Sequence, residues 1–243
     1  MTFPSPARMV TGAVGAALAA GFGTVARARH GKPLHPDGVL LRARIERTGA
    51  PTRYGTPWLD DRGTDTGVAR LSRAVGLPDG WPDILGLALR FPGADGVAEH
   101  DLLLATTGRA VGPRFLLAPR RDIAGATYTS LLPYRAPGGL VLLGALPVTG
   151  TPVPADPAEV AAAVGAAPLR FDLVAARPHG PWERFGGLAV GGPLPTDGAA
   201  LDPPVSFDPV LHPLPGLAFP PAIARIRGAA YAGARRGRHA PAA

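Results

Sequence analysis

The sequence predicts a mainly β protein of the α+β class, in which short strands close into an antiparallel barrel with flanking helices. Short apolar or alternating runs recur along the chain, which is the pattern of half-buried strands. Gly (33) and Pro (30) are scattered between these runs rather than concentrated in tracts, as expected for frequent turns. Only one internal stretch has helical character. A length of 243 residues suits one such barrel domain.

The predicted elements follow from this pattern. Residues 39–47 alternate, with Leu41, Ala43 and Ile45 on one face and charged residues on the other. Gly, Pro or Asp bound six further predicted strands, which cover residues 67–75, 85–91, 101–105, 140–146, 170–176 and 187–194. Residues 154–164 are predicted to be helical, with Pro157 near the start. Pro220 and Pro221 introduce a second helix at the C-terminus.

Composition excludes several function classes. Apolar residues make up 46% of the chain and charged residues 18%, which argues for a packed core and against disorder. The absence of Cys excludes disulfides, thiolate nucleophiles and thiolate-ligated metals. The six histidines form no HxxxH or HExxH pair. Asp60, Asp61 and Asp65 remain as the only candidate cation site for a hydrolase, and such an acidic loop is usually solvated.

The net charge of +7 raises the question of nucleic-acid binding. Of the 25 basic residues only Lys32 is lysine, and the dense basic cluster is confined to Arg235, Arg236, Arg238 and His239. No aromatic residues interleave with that cluster to stack on bases. We therefore expect no nucleic-acid partner.

The N-terminal residues 1–30 are predicted to form a helical segment docked on a barrel domain of residues 31–239. The apolar stretch from Met9 to Phe22 is too short and too rich in Gly and Ala to span a membrane. A signal peptide over residues 1–28 is the alternative, although no clean cleavage site follows. We expect a cytoplasmic protein with no integral membrane span.

The predicted C-terminal helix carries a candidate iron ligand. Arg227 and Tyr231 are four residues apart, so their side chains share one helical face. A neighbouring cation favours the ionised form of a phenol. Tyrosinate is a hard oxygen ligand that suits Fe(III), and tyrosine is one of the axial ligands used for haem. The alternative is an ordinary Tyr on a basic surface helix.

Several motifs then occur in a fixed order. They are His35-Pro36-Asp37-Gly38, Arg70-Leu71-Ser72, the stretch 82–91, Asp101-Leu102-Leu103, Ser206-Phe207-Asp208-Pro209, Pro215-Gly216 and Arg227-x-x-x-Tyr231. Between Lys32 and Tyr231 this series resembles the core domain of the haem catalases and their minimal catalase-like relatives. The resemblance implies a closed barrel of the catalase type, with haem b as the cofactor and a peroxide as the substrate.

The resemblance also implies roles for residues on both faces of the haem. Tyr231 would be the proximal iron ligand, and Arg227 would keep its phenol ionised. His35 would be the distal general base that moves the proton of a bound peroxide. Ser72 would hydrogen-bond the imidazole and fix its tautomer.

The remaining implied contacts are to the periphery and the plane of the haem. Arg70 and Lys32 would face the propionates, and Lys32 stands where the family usually has Arg, so bidentate geometry is lost there. Leu34 would pack on the porphyrin. For His35, Ser72, Arg70 and Lys32 the alternative is an ordinary loop, strand or surface role.

One departure from the family pattern bears on activity. Catalases carry a distal Asn where this chain has Ala105, so a donor to the bound peroxide is missing unless Thr106 or Thr107 replaces it. Losing one preorganised donor costs on the order of 10²–10³ in rate. The chain also lacks the long insertions of full-length catalases, so we expect a more open pocket and a low oligomer such as a homodimer.

Two function hypotheses follow. The first is a haem-dependent enzyme, a peroxidase or organic-hydroperoxide oxidoreductase rather than an efficient catalase, with a small reducing or lipid-like co-substrate. The second is a catalase-fold barrel that has lost haem and serves as a small-molecule binding or structural module. The missing amide and Lys32 favour the second, whereas His35 and the Arg227/Tyr231 pair favour the first.

Overall fold

The computed structural model describes residues 37–78, 80–93, 95–148, 150–194, 201–202 and 205–221. In these ranges the protein is mainly β, with nine strands and little helix. The strands are β1 (Asp37–Thr48), β2 (Arg62–Arg73), β3 (Leu85–Pro92), β4 (Glu99–Thr106), β5 (Tyr128–Thr129), β6 (Tyr134–Ala136), β7 (Gly139–Pro147), β8 (Leu169–Ala176) and β9 (Glu183–Pro193). The helices are α1 (Pro57–Asp60) and α2 (Pro157–Ala166), with a 3₁₀ turn over Pro113–Phe115.

Eight of the strands close into an antiparallel barrel. The sheet runs in the order β5-β4-β3-β2-β1-β9-β8-β7, and the short β5 closes the ring because it pairs with both β4 and β7. Closure leaves no exposed edge along most of the ring. β6 pairs with the first residues of β7 at one end of the barrel. The predicted closed barrel is therefore confirmed.

The barrel interior is a packed apolar core. Leu41, Ala43 and Ile45 of β1 join this core, while Arg42 and Arg44 between them are exposed, as the alternation in the sequence predicts. The core side chains also come from the alternate positions of the other strands, such as Leu71, Leu87, Leu104, Leu143, Phe171, Leu173, Phe185 and Leu188. Since large side chains fill the interior, a ligand site has to lie outside the ring or at its ends.

The helices are short and locally determined. The carboxylate of Asp60, in α1, accepts hydrogen bonds from the backbone N–H groups of Tyr54, Gly55 and Thr56. Helix α2 begins at Pro157 because the Asp156 carboxylate caps the N–H groups of its first turn. The sequence placed this helix at 154–164, so its start was predicted three residues too early. No helix in the described ranges is long and apolar enough to cross a membrane.

After β9 the chain crosses the outside of the barrel in a segment without regular structure, which we call the strap (residues 201–202 and 205–219). Leu40 of β1 donates its N–H to the carbonyl of Leu201 at 2.9 Å. Asp101 of β4 donates its N–H to the carbonyl of His212 at 2.8 Å. The strap thus passes from β1 to β4 over the outer face of four adjacent strands.

The end of the strap is fixed at β6. Arg135 and Ala218 exchange backbone hydrogen bonds of 2.6 and 3.1 Å, and the ring of Phe219 stacks on that of Tyr134 with centroids 4.4 Å apart. The predicted N-terminal segment 1–30 lies outside the described residues, as does the C-terminal helix apart from its first residues up to Pro221.

Candidate functional site

The register of β1 to β4 brings four small residues into one row. Gly38 is opposite Ser72, Ser72 is opposite Gly86, and Gly86 is opposite Ala105. Directly opposed residues of an antiparallel sheet project from the same face. Their neighbours Leu71, Leu87 and Leu104 belong to the core, so this small-residue row faces outward.

A second outward row lies beside the first. It consists of Leu40, Arg70, Ala88 and Leu103, which are likewise opposite one another. Because adjacent strands lie about 4.8 Å apart, each row is about 14 Å wide. The two rows form a mostly apolar face with one hydroxyl, from Ser72, and one guanidinium, from Arg70. Gly38, Leu40, Ser72 and Gly86 on this face are buried in the folded chain.

Ser72 was predicted as the residue that orients the distal base. The structure places it in the small-residue row, where it is only 6% exposed. Its two neighbours in the row, Gly38 and Gly86, have no side chain. The Ser72 hydroxyl is therefore the polar side-chain group of this row from β1 to β3. His35, its predicted partner, lies outside the described residues and stands three residues before Gly38 in the chain.

Arg70 was predicted to face the haem propionates, and the structure shows its guanidinium on a carboxylate of the chain itself. Its Nε and Nη2 donate to the two oxygens of Asp202 in the strap, at 2.7 and 2.5 Å. Such bidentate pairs are among the stronger charge-assisted contacts. A Cβ at Gly38 would lie 2.8 Å from the Arg70 Nη2, so this arrangement requires Gly at position 38.

A second pair fixes the strap at β3 and β4. The Arg90 guanidinium donates to both oxygens of Asp101 at 2.7 Å, and also to the backbone carbonyl of Ser206 at 2.8 Å. Asp101 is fully buried and accepts the backbone N–H of Asp208 at 2.6 Å. The hydrogen bond to Asp101 raises the pKa of Arg90 above its ordinary value, against the opposing effect of desolvation.

No role was predicted for this second pair from the sequence, although Arg90 and Asp101 stand within the motifs quoted above. A signal was present for Arg90, which is the charged residue of the otherwise apolar β3, whereas Asp101 follows Glu99 and His100 at the polar start of β4. Charges in such positions are usually paired.

Neither threonine considered as a replacement for the distal amide points to the small-residue row as a donor. Thr106 is adjacent to Ala105 in the strand and opposite the core residue Tyr128, so its side chain faces inward. Its hydroxyl accepts a hydrogen bond from the N–H of Leu85 at 3.0 Å. The hydroxyl of Thr107 donates to the carbonyl of Gly108 and lies 3.1 Å from that of Thr129. Both threonine side chains are therefore used in local structure.

The remaining predicted site residues lie outside the described part of the chain. These are Lys32, Leu34, His35, Arg227 and Tyr231. The last described residue is Pro221, ten residues before Tyr231. The structure thus brings together Arg70, Ser72 and Ala105 on one face and leaves the other predicted roles as predictions.

The described ranges contain no cluster of three or more His, Asp or Glu residues that could hold a metal ion. Asp60 caps the turn before α1, and Asp65 pairs with Arg47 at 2.8 Å. Among the described residues, one open surface cleft lies near Pro82 and Arg120 and another between Glu99 and His212, and neither is lined by Arg70 or Ser72. Nothing in this part of the chain supports a metallohydrolase.

A closed eight-stranded antiparallel barrel with few helices is the architecture of the catalase fold, and comparison with solved structures agrees. The chain is similar to catalase A from Saccharomyces cerevisiae, with a TM-score of 0.64 and 11% sequence identity. The match covers 86% of this chain and 61% of that catalase, so the chain spans about three fifths of its length. No protein-family model matches the sequence, and no curated protein matches it significantly. At this identity the similarity concerns the fold.

Proposed function

We propose that this protein is a haem-dependent oxidoreductase that uses a peroxide, with haem b held against the outer face of β1 to β4. The observation that carries the proposal is the small-residue row beside Leu40, Ala88 and Leu103. The side chains of Gly, Ala and Ser are short, so a planar macrocycle could approach the backbone of this row closely. Other outward positions, on β1 and β9, carry the long and exposed side chains of Arg42, Arg44 and Arg184.

The residues present fit such a group on three counts. The two rows are mostly apolar, Arg70 supplies a cation within the second row, and Ser72 supplies one hydroxyl within the first. His35 stands three residues before Gly38 in the chain, and three residues span at most about 10 Å. Tyr231 follows the strap in the chain.

In this proposal each residue has a distinct task. Tyr231 holds the iron, and Arg227 stabilises the phenolate. The bound haem supplies the redox chemistry that cleaves the O–O bond. His35 takes the proton from the peroxide oxygen and returns it to the departing oxygen, while Ser72 orients the imidazole.

The substrate preference follows from Ala105. Its methyl group stands in the small-residue row between Gly86 and Thr129, and the hydroxyl of Thr129 already donates to the carbonyl of Arg114 at 3.1 Å. With Thr106 and Thr107 also committed, none of the described residues on this side of the surface offers an amide donor to hydrogen peroxide. An apolar surface without that donor suits an organic hydroperoxide and peroxidase turnover better than rapid dismutation.

The second candidate function is a catalase-fold barrel that binds a small molecule without haem. Two observations favour it, namely Ala105 at the position of the distal amide and the occupation of Arg70 by Asp202. It predicts no Soret band after incubation with haem, and the following experiment separates the two candidates.

The proposal predicts that an enlarged side chain in the second row blocks haem. Ala88 is a half-buried, outward-facing alanine, so Ala88→Phe raises a ring above the surface without entering the core. We expect titration with ferric haem to give a saturable Soret change in the wild type and at least a tenfold weaker one, about 1.4 kcal/mol, in Ala88→Phe. Ala189→Phe is the matched control, because Ala189 is a half-buried outward alanine of β9. Equal haem affinity in all three proteins would refute the placement.

A further inference from the structure

Asp202 occupies the position at Arg70 that an acidic ligand would take. The two carboxylate oxygens accept from Nε and Nη2 of the guanidinium, which is the geometry that Arg offers to any carboxylate. Both side chains are largely covered, with 14% of Arg70 and 21% of Asp202 exposed. Because the pair is neutral as a whole, a second carboxylate approaching Arg70 meets little net attraction.

The strap residue that supplies this carboxylate has few anchors of its own. Within the described residues, Leu201 accepts one backbone hydrogen bond from Leu40, and Asp202 contributes the ion pair. The later part of the strap is fixed separately by Arg90 and Asp101. Residues 201–202 and the part of the strap at β3 and β4 are thus held by separate sets of contacts.

We propose that Asp202 is a built-in competitor for the carboxylate of the ligand, so that an acid-bearing planar ligand binds only by displacing residues 201–202 from Arg70. This inference rests on the proposed function, since it takes the outer face of β1 to β4 as the ligand surface. It adds a device by which the protein lowers its own affinity for anionic ligands. The apparent affinity is reduced by the fraction of molecules in which Arg70 is available.

Metal-free protoporphyrin IX and its dimethyl ester are the probes, since they share one ring and differ in two carboxylates. Binding is followed by porphyrin fluorescence, which requires neither iron nor Tyr231. We expect Asp202→Asn to raise the affinity for the diacid about fivefold and to leave the affinity for the ester unchanged. Arg70→Gln should lower the affinity for the diacid but not for the ester. The double variant should have the same affinities as Arg70→Gln alone.

Hydrogen exchange gives a second readout. If binding displaces residues 201–202, the amide of Leu40 loses its acceptor and exchanges faster in the complex with the diacid than in that with the ester. Asp172→Asn is the matched control, because Asp172 is also a carboxylate paired with an arginine, Arg184, at 2.6 Å. It should change neither affinity nor the exchange at Leu40.

The outcomes separate this inference from the proposed function. If Asp202→Asn lowers the affinity for both porphyrins, or changes the affinities for diacid and ester equally, Asp202 supports the site and the competitor proposal is wrong. Absence of binding of either porphyrin to any variant overturns the competitor proposal, whereas the proposed function is overturned only if ferric haem also fails to bind the wild type. If the diacid binds as expected but ferric haem gives no Tyr231-dependent spectrum, the competitor proposal stands and the redox function fails.

Discussion

Asp101→Asn is expected to destabilise the protein by about 3 kcal/mol, because it leaves the Arg90 guanidinium without its bidentate carboxylate. Asp101 is fully buried and holds both Arg90 and the backbone N–H of Asp208. The Asn amide can keep only part of these contacts, since its NH₂ group repels the guanidinium. The free energy of unfolding from urea denaturation measures the loss.

The same substitution should loosen the strap before the barrel unfolds. We expect faster hydrogen exchange at Asp208 in Asp101→Asn than in the wild type under native conditions. Asp172→Asn, which breaks an ion pair whose side chains are 41–50% exposed, should cost less than about 1 kcal/mol. A similar small cost for Asp101→Asn would show that the Arg90–Asp101 pair does not hold the strap.

Ala105→Asn is expected to raise the rate of hydrogen peroxide consumption by the haem-loaded protein at least tenfold. The new amide stands in the row of Ser72, on the residue directly opposite Gly86. A preorganised donor at such a position contributes on the order of 10²–10³ in rate. Oxygen evolution at equal haem occupancy is the measurement.

Ala189→Asn is the control for this gain, because it adds the same amide to an outward position of β9. Its rate should equal that of the wild type. If Ala105→Asn consumes hydrogen peroxide no faster than this control, the missing amide is not what limits dismutation, and the preference for organic hydroperoxides loses its support.

Much of the fold was predictable because the barrel is made of local patterns. All seven predicted strands are present, and the alternation of 39–47 gave the inward face of β1 correctly. The short β5 and β6 were missed because two or three residues carry no measurable alternation. The first half of β2, residues 62–66, was missed because its polar sequence resembles a loop.

The site was predictable only in part. The motifs pointed to Arg70, Ser72 and Ala105, and the register shows that these three positions share one face of the sheet. Asp202 could not be found in this way, because its contact with Arg70 joins residues 132 positions apart in the chain. The role of Arg90 and Asp101 in fixing the strap depends on the same kind of long-range contact.

The most direct test of Tyr231-ligated haem binding is to compare the absorption spectra of the haem-loaded wild type and of Tyr231→Phe, which lacks the phenol oxygen. We expect a ferric, tyrosinate-ligated spectrum in the wild type and its loss in Tyr231→Phe, whereas His35→Ala should retain it because the proposal gives His35 no bond to the iron. A spectrum unchanged by Tyr231→Phe, or no Soret band in the wild type, would contradict it.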